Sequence, residues 1–203
     1  YVTDDVTLLG LPLYAGAATT QFLGACTAGI AIVLYNFSGR GFAELVERER
    51  VTITYLNSTL FHIVRDYLDS SQRKYDFSSL RSLRVGARPM PANQLKEMLD
   101  YFNIPYHCTH RVYSSVEVSP TQTILTGEEI ASGLSPSATD KEKTIADSVG
   151  KPFLTEIRVV DENGQDIPPG KVGEIIWKLG DSTMPVTGYW NKPELSRQVI
   201  KDG

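Results

Sequence analysis

Two stretches of this 203-residue sequence place small or polar residues where an apolar strand ends. In VGARP (85 to 89), Gly86 and Ala87 follow an apolar run, and a backbone without bulky side chains lets a flat ligand approach closely. In VYSSVE (112 to 117), Tyr113 supplies a ring and Glu117 a carboxylate four residues later. A glycine strip facing a tyrosine makes a slot for a planar heterocycle, and a nearby carboxylate suits a hard cation such as Mg²⁺. A base, a phosphate and a metal together describe a nucleotide. Each feature alone has a plainer reading: Gly-Ala after a strand is usually a turn, and a Tyr beside a Glu is usually surface.

The elements that must position these residues alternate. Strand-like runs are expected in VTLLGLPLY (6 to 14), with the strand finishing beside Pro12, and at AIVLYN (31 to 36), TITYL (52 to 56), LRSLRVGA (80 to 87) and IPYHC (104 to 108). Helical spacing fills the gaps at 16 to 30, 39 to 51, 58 to 68 and 90 to 102, with Asn57 or Ser58 able to cap the third. This order predicts an α/β fold, a mostly parallel sheet flanked by helices, over residues 1–125. Residues 126–148 are polar and read as a loop. Residues 149–203 read as a small antiparallel β subdomain, with turns at Asn163-Gly164 and Pro168-Pro169-Gly170. In an open α/β sheet, ligands sit beyond the carboxyl ends of the strands, which is where 11–16, 85–89 and 112–117 fall.

Composition narrows the function. A formal net charge of -4 and 22% charged residues give no basic surface for nucleic acid. The apolar run from Phe22 to Tyr35 is too short and too broken by glycine to span a bilayer, so no membrane insertion is expected. Two cysteines make no disulfide framework, Cys26 is expected to be buried, and a reducing, cytoplasmic setting follows.

Several blocks in order carry a resemblance: LPLY (11 to 14), YDFSSLRSLRVGARPMP (75 to 91), YSSVEVSP (113 to 120), SVGKP (148 to 152), PGKVGE (169 to 174) and GYWNKPE (188 to 194). Together the sequence resembles the AMP-forming adenylating enzymes, a superfamily of acyl- and aryl-CoA synthetases, luciferase-like ligases and peptide-synthetase adenylation domains. The resemblance implies a two-step reaction. A small-molecule carboxylic acid attacks the α-phosphate of ATP, pyrophosphate leaves, and the acyl group of the resulting acyl-adenylate then passes to a thiol such as coenzyme A, releasing AMP. It implies that Gly86, Ala87 and Arg88 line the adenine and acyl slot, that Tyr113 stacks on adenine with Ser114 and Val116 beside it, and that Glu117 binds Mg²⁺. Tyr14, Ala15 and Arg88 would border the acyl pocket. Acyl or aryl acids are favoured over amino acids.

The departures from the family pattern matter too. Ser114 stands where the YGxTE block has glycine, and Val116 where it has the threonine whose hydroxyl meets the α-phosphate; that lost contact would cost about 1.5 to 3 kcal/mol. Ala15 stands where LPLFH members carry histidine, and Arg88 replaces a small or acidic residue. No SGTTGxPKG-type phosphate loop, ribose-gripping TGD block or catalytic lysine is recognised. The chain is therefore expected to be an interior segment of the large N-terminal domain, with N- and C-terminal parts of a parent chain missing, no catalytic residue of its own, and no turnover alone.

Other candidates weigh less. His107, Cys108 and His110 lack the second ligand pair of a zinc site, His62 lies on an apolar helix face, and Ser114 and Ser115 are not in a nucleophile elbow. The alternative from another class is a catalytically degenerate binding or scaffold module of the same fold, for which Ser114, Val116 and the lacking phosphate loop speak.

Overall fold

The short apolar runs become the strands of one sheet. A computed structural model describes residues 1–118, 121–153, 155–179 and 186–201. Ser119-Pro120, Gly180 and Gly203 lie outside the described residues. In chain order the elements begin β1 (Val6–Leu9), α1 (Gly16–Ala28), β2 (Ala31–Leu34), α2 (Gly39–Arg48), β3 (Ile53–Tyr55) and α3 (Ser58–Ser70). There follow β4 (Ser82–Val85), α4 (Ala92–Tyr101), a 3-10 turn at Tyr106–Cys108, β5 (His110–Tyr113), β6 (Thr123–Leu125), α5 (Gly127–Leu134) and α6 (Asp140–Asp147). The chain continues through β7 (Lys151–Pro152), β8 (Thr155–Val160), β9 (Glu174–Leu179) and α7 (Pro193–Val199).

Seven strands form a mixed, mostly parallel sheet in the order β2-β1-β3-β4-β5-β6-β7. The pairings from β2 across to β5 are parallel, and β6 and β7 join antiparallel. Strands β8 and β9 form a separate antiparallel pair. Among the described residues no helix is long and apolar enough to cross a membrane.

Side-chain alternation gives the sheet two different faces. One carries Leu8, Leu83, Val85 and Leu125 into a core shared with Phe42 and Val46 of α2, Phe61 and Val64 of α3, and Leu95, Met98 and Leu99 of α4. Phe42 is wholly buried and meets Phe77 and Phe102; a buried ring of this kind contributes about 1.5 to 3 kcal/mol. Ser38 caps α2 by accepting from the Gly41 N–H, and Asn57 caps α3 by accepting from Leu60. On the other face α1 packs over β1 and β2, and its buried Ala18, Gln21 and Ala25 recur at helical spacing.

Several expectations are corrected. The spacing of 18, 21 and 25 turns Cys26 outward, so its thiol is exposed rather than buried. Strand β1 stops at Leu9, ahead of Gly10, instead of finishing beside Pro12. The segment expected as a strand at 104 to 108 holds the 3-10 turn, and the strand begins at His110.

Residues 126–148 are not a loop. They form α5 and α6, each begun by a capping box in which Thr126 pairs with Glu129 and Thr139 with Glu142. Gly127, Ile130, Gly133 and Ala146 supply a small, narrow buried face that polar neighbours hid in the sequence. Among the described residues of 149–203, β8 and β9 alone form the separate antiparallel pair. Lys151 and Pro152 belong to the main sheet, where the Phe153 N–H donates to the Gln122 carbonyl. Gly150, at φ 87°, makes that entry feasible, because a Cβ there would lie 2.0 Å from the Ile124 carbonyl oxygen.

Buried Arg111 ties these parts together. Its guanidinium donates to the carbonyls of Met90, Ala146 and Ser148, anchoring the entry to α4 and the end of α6, where a cation complements the helix dipole.

Candidate active site

Strands β4 and β5 end side by side. Their register pairs Arg84 with His110 and Val85 with Arg111, which brings Gly86 against Val112. The approach is close: a Cβ on Gly86 would sit 2.6 Å from the Val112 carbonyl oxygen, so only glycine fits. Ala87 follows at φ 61°, a left-handed conformation that costs an L-residue about 1 to 2 kcal/mol. Ala87 and Arg88 are exposed. The small-residue ledge and Tyr113 are thus neighbours on adjacent parallel strands, rather than opposite walls of a crevice. Two surface hollows, one lined by Leu99, Asp100 and Tyr106 and the other by Val160, Val172 and Glu174, involve none of these residues.

Beyond Tyr113 the chain leaves the sheet and is pinned by Gln122. The Gln122 N–H donates to the Tyr113 carbonyl at 3.0 Å, and its side-chain amide donates to Ser115 Oγ at 3.0 Å. This places Ser114 half-buried, Val116 exposed and Glu117 half-buried just past the strand end. Val116 reaches toward the start of α1, where a Cβ on Gly16 would lie 3.8 Å from Val116 Cγ2. Tyr14 and Ala15, the expected wall of the acyl pocket, immediately precede that helix start; Tyr14 is 85% exposed and Ala15 half-buried.

Two residues that sequence reading did not single out complete the cluster. The Trp177 indole from β9 stacks on the Tyr113 ring, with centroids 5.7 Å apart and planes 26° from parallel. The Tyr189 hydroxyl donates to Glu117 Oε1 at 2.7 Å. Tyr189 is itself held by its backbone, because its N–H donates to Ser196 Oγ of α7 at 2.8 Å. The donated hydroxyl holds the Glu117 carboxyl below its usual range, helped by the residue's own backbone and by Ser115. The same bond raises the Tyr189 phenol.

The donor set agrees with a cation bound mainly by a ligand. Among the described residues no group of three or more His, Cys, Asp or Glu gathers to hold a metal, so a cation at Glu117 would need most of its ligands from elsewhere. Mg²⁺ commonly takes one or two carboxylates and completes its shell with phosphates and water. An ionised Glu117, kept ionised by a neutral donor, fits that requirement.

The family model for AMP-binding enzyme matches residues 1–190. The chain belongs to the AMP-binding enzyme family. The chain is 28% identical over 204 residues to a feruloyl-CoA synthase of Amycolatopsis sp, covering 99% of this chain and 37% of that protein. It is 30% identical over 206 residues to an indoleacetate–CoA ligase of Aromatoleum aromaticum, covering 98% and 36% respectively. The chain therefore spans well under half the length of these relatives. Its fold matches the crystal structure of the N-terminal domain of FACL13 from Mycobacterium tuberculosis, with a TM-score of 0.74 at 22% identity over 100% of this chain and 47% of that one. It also matches O-succinylbenzoate coenzyme A synthetase from Bacillus subtilis in complex with ATP and magnesium ion, with a TM-score of 0.70 at 24% identity over 98% and 37%.

Proposed function

We propose that the protein carrying this AMP-binding chain activates a small carboxylic acid with ATP, forming an acyl-adenylate and releasing pyrophosphate, and then passes the acyl group to a thiol such as coenzyme A. The observation that carries this reading is the convergence of Tyr113, Glu117 and the Gly86-Ala87 ledge at the ends of two adjacent parallel strands, with Tyr189 fixing the carboxylate.

In this reading Tyr113 offers its ring to adenine, and Gly86 and Ala87 let the ligand lie flat against backbone. Glu117 would hold Mg²⁺, which when bound offsets charge on the phosphates during transfer. Tyr189 keeps the Glu117 carboxylate ionised and aimed. Tyr14 and Ala15, beside the start of α1, border the space for the acid. Val116 presents methyl groups where a hydroxyl would meet the α-phosphate, so that contact has to come from elsewhere in the protein.

Acid-dependent exchange of pyrophosphate into ATP by the full-length protein, run over aromatic and aliphatic carboxylic acids, tests the proposal. Exchange with at least one acid is expected. Nucleotide binding without exchange for any acid would instead favour a catalytically degenerate binding module.

A further inference from the structure

The sheet face on which α1 packs carries a row of polar side chains. The register pairs Tyr55 of β3 with Arg84 of β4, and Arg84 with His110 of β5, so a phenol, a guanidinium and an imidazole stand abreast on three neighbouring strands. The alternate positions Leu83 and Val85 point into the apolar core, which puts the row on the opposite face. Gln21 of α1 donates to Thr7, a residue in register with Ile53 and through it with Ser82, so α1 lies over this same face.

The row is short of partners. Tyr55 is only 6% exposed, yet its hydroxyl is buried with no hydrogen bond, and Arg84 Nε is buried without one as well. Among the described residues Arg84 forms no ion pair. Its guanidinium lies 4.3 Å from the Tyr1 ring centroid, and one amino group donates to the Tyr1 hydroxyl at 2.6 Å. Tyr1 in turn lies against α1, since a Cβ on Gly24 would sit 3.1 Å from its ring. Unsatisfied buried donors beside a guanidinium with no carboxylate form a setting that an anion completes, because leaving such groups unpaired is costly.

Position connects the row to the proposed active site. Gly86 and Val112 lie two residues beyond Arg84 and His110 on the same face, which is about 7 Å along the strands. We propose that Tyr55, Arg84 and His110 form the far end of the acid-binding pocket and select an acid that carries a second carboxylate. This inference rests on the acid-activating reading above. The acid would place its reacting carboxylate near Val116 and Glu117 and run along this face, past Gly86 and Val112, to the row. Burial, and then the charge of Arg84, lower the His110 imidazole to about 4, so near neutral pH the row has one fixed cation and two neutral groups able to donate.

The test uses pyrophosphate exchange by the full-length protein with matched pairs: octanoate against suberate, and cinnamate against 4-carboxycinnamate. The diacid is expected to exceed its monoacid in kcat/KM by about tenfold or more in at least one pair, the range of a charged hydrogen bond. Arg84→Leu is expected to collapse that ratio, Tyr55→Phe to reduce it, and Arg84→Lys to retain part of it. Tyr55→Phe removes one oxygen and little packing, so it keeps the test decisive if Arg84→Leu does not fold. Monoacids activated with equal or better efficiency, or a ratio that neither Arg84→Leu nor Tyr55→Phe changes, would overturn the inference while leaving acid activation standing. Exchange with no acid at all would overturn both.

Discussion

The Tyr189 hydroxyl donates to Glu117 Oε1 at 2.7 Å, joining residues 72 apart in the chain. Through this bond the segment after β9 reaches the loop after β5. It gives the carboxylate a fixed direction and a lowered affinity for protons.

Removing that hydroxyl is expected to act through Glu117. In the full-length protein, Tyr189→Phe should lower kcat/KM for pyrophosphate exchange by about tenfold, the effect of one hydrogen bond to a charged group. It should also move the acid limb of the pH profile upward, because Glu117 then protonates nearer its ordinary value. For stability, the depressed Glu117 pKa contributes above its unfolded value and is lost as pH falls through the folded one. An unmoved acid limb would show that Tyr189 has only a packing role.

The Gly86 ledge tolerates no side chain. Gly86→Ala would force a Cβ to within 2.6 Å of a backbone oxygen that cannot swing away. A destabilisation of about 1 to 3 kcal/mol is expected, read as a lowered midpoint in denaturant unfolding. Unchanged stability would mean that β4 and β5 are further apart at this point.

Burial of His110 sets a pH window. Its folded pKa of about 4 lies below the 6.5 of the free side chain, so the unfolded chain binds the extra proton between those values. Stability should be full above about pH 6.5 and fall on acidification toward pH 4, by on the order of 3 kcal/mol in total. His110→Gln should flatten this part of the stability curve. A curve identical to that of the unaltered protein would contradict the burial.

Trp177 reports on the Tyr113 ring. If adenine uses that ring, nucleotide should alter the environment of the stacked indole, and the difference in tryptophan emission on adding Mg·ATP should shrink in Trp177→Phe. Tyr113→Ala should weaken nucleotide binding by about 1 kcal/mol, the value of an aromatic pair. Equal emission changes with and without Trp177 would place the nucleotide elsewhere.

Local pattern accounts for what was legible in the sequence. Runs such as AIVL and ITY, each followed by an amphipathic helix, announced the parallel sheet, and Asn57 announced the start of α3. The same reasoning put the end of β4 near Gly86, but it expected the next strand at 104 to 108, so Tyr113 and Glu117 rested on the resemblance of YSSVE to the family block and not on the end of β5. It failed at α5 and α6, because their buried residues are Gly127, Ile130, Gly133 and Ala146, joined only by the partly buried Leu134 and Ile145, which gives too narrow an apolar stripe. The Thr126–Glu129 and Thr139–Glu142 capping boxes were the available signal. It failed also at Tyr189, Trp177 and the Tyr55–Arg84–His110 row, since these meet across strands and across 64 to 72 residues of chain for the first two. Periodicity within a window carries no information about such meetings.

Glu117 as the magnesium-holding carboxylate is the central claim, and the Mg²⁺ dependence of pyrophosphate exchange in full-length Glu117→Gln tests it most directly. The Mg²⁺ concentration for half-maximal exchange should rise by about tenfold or more, as expected when a charged ligand is replaced by a neutral one. An unchanged Mg²⁺ dependence with undiminished exchange would contradict it.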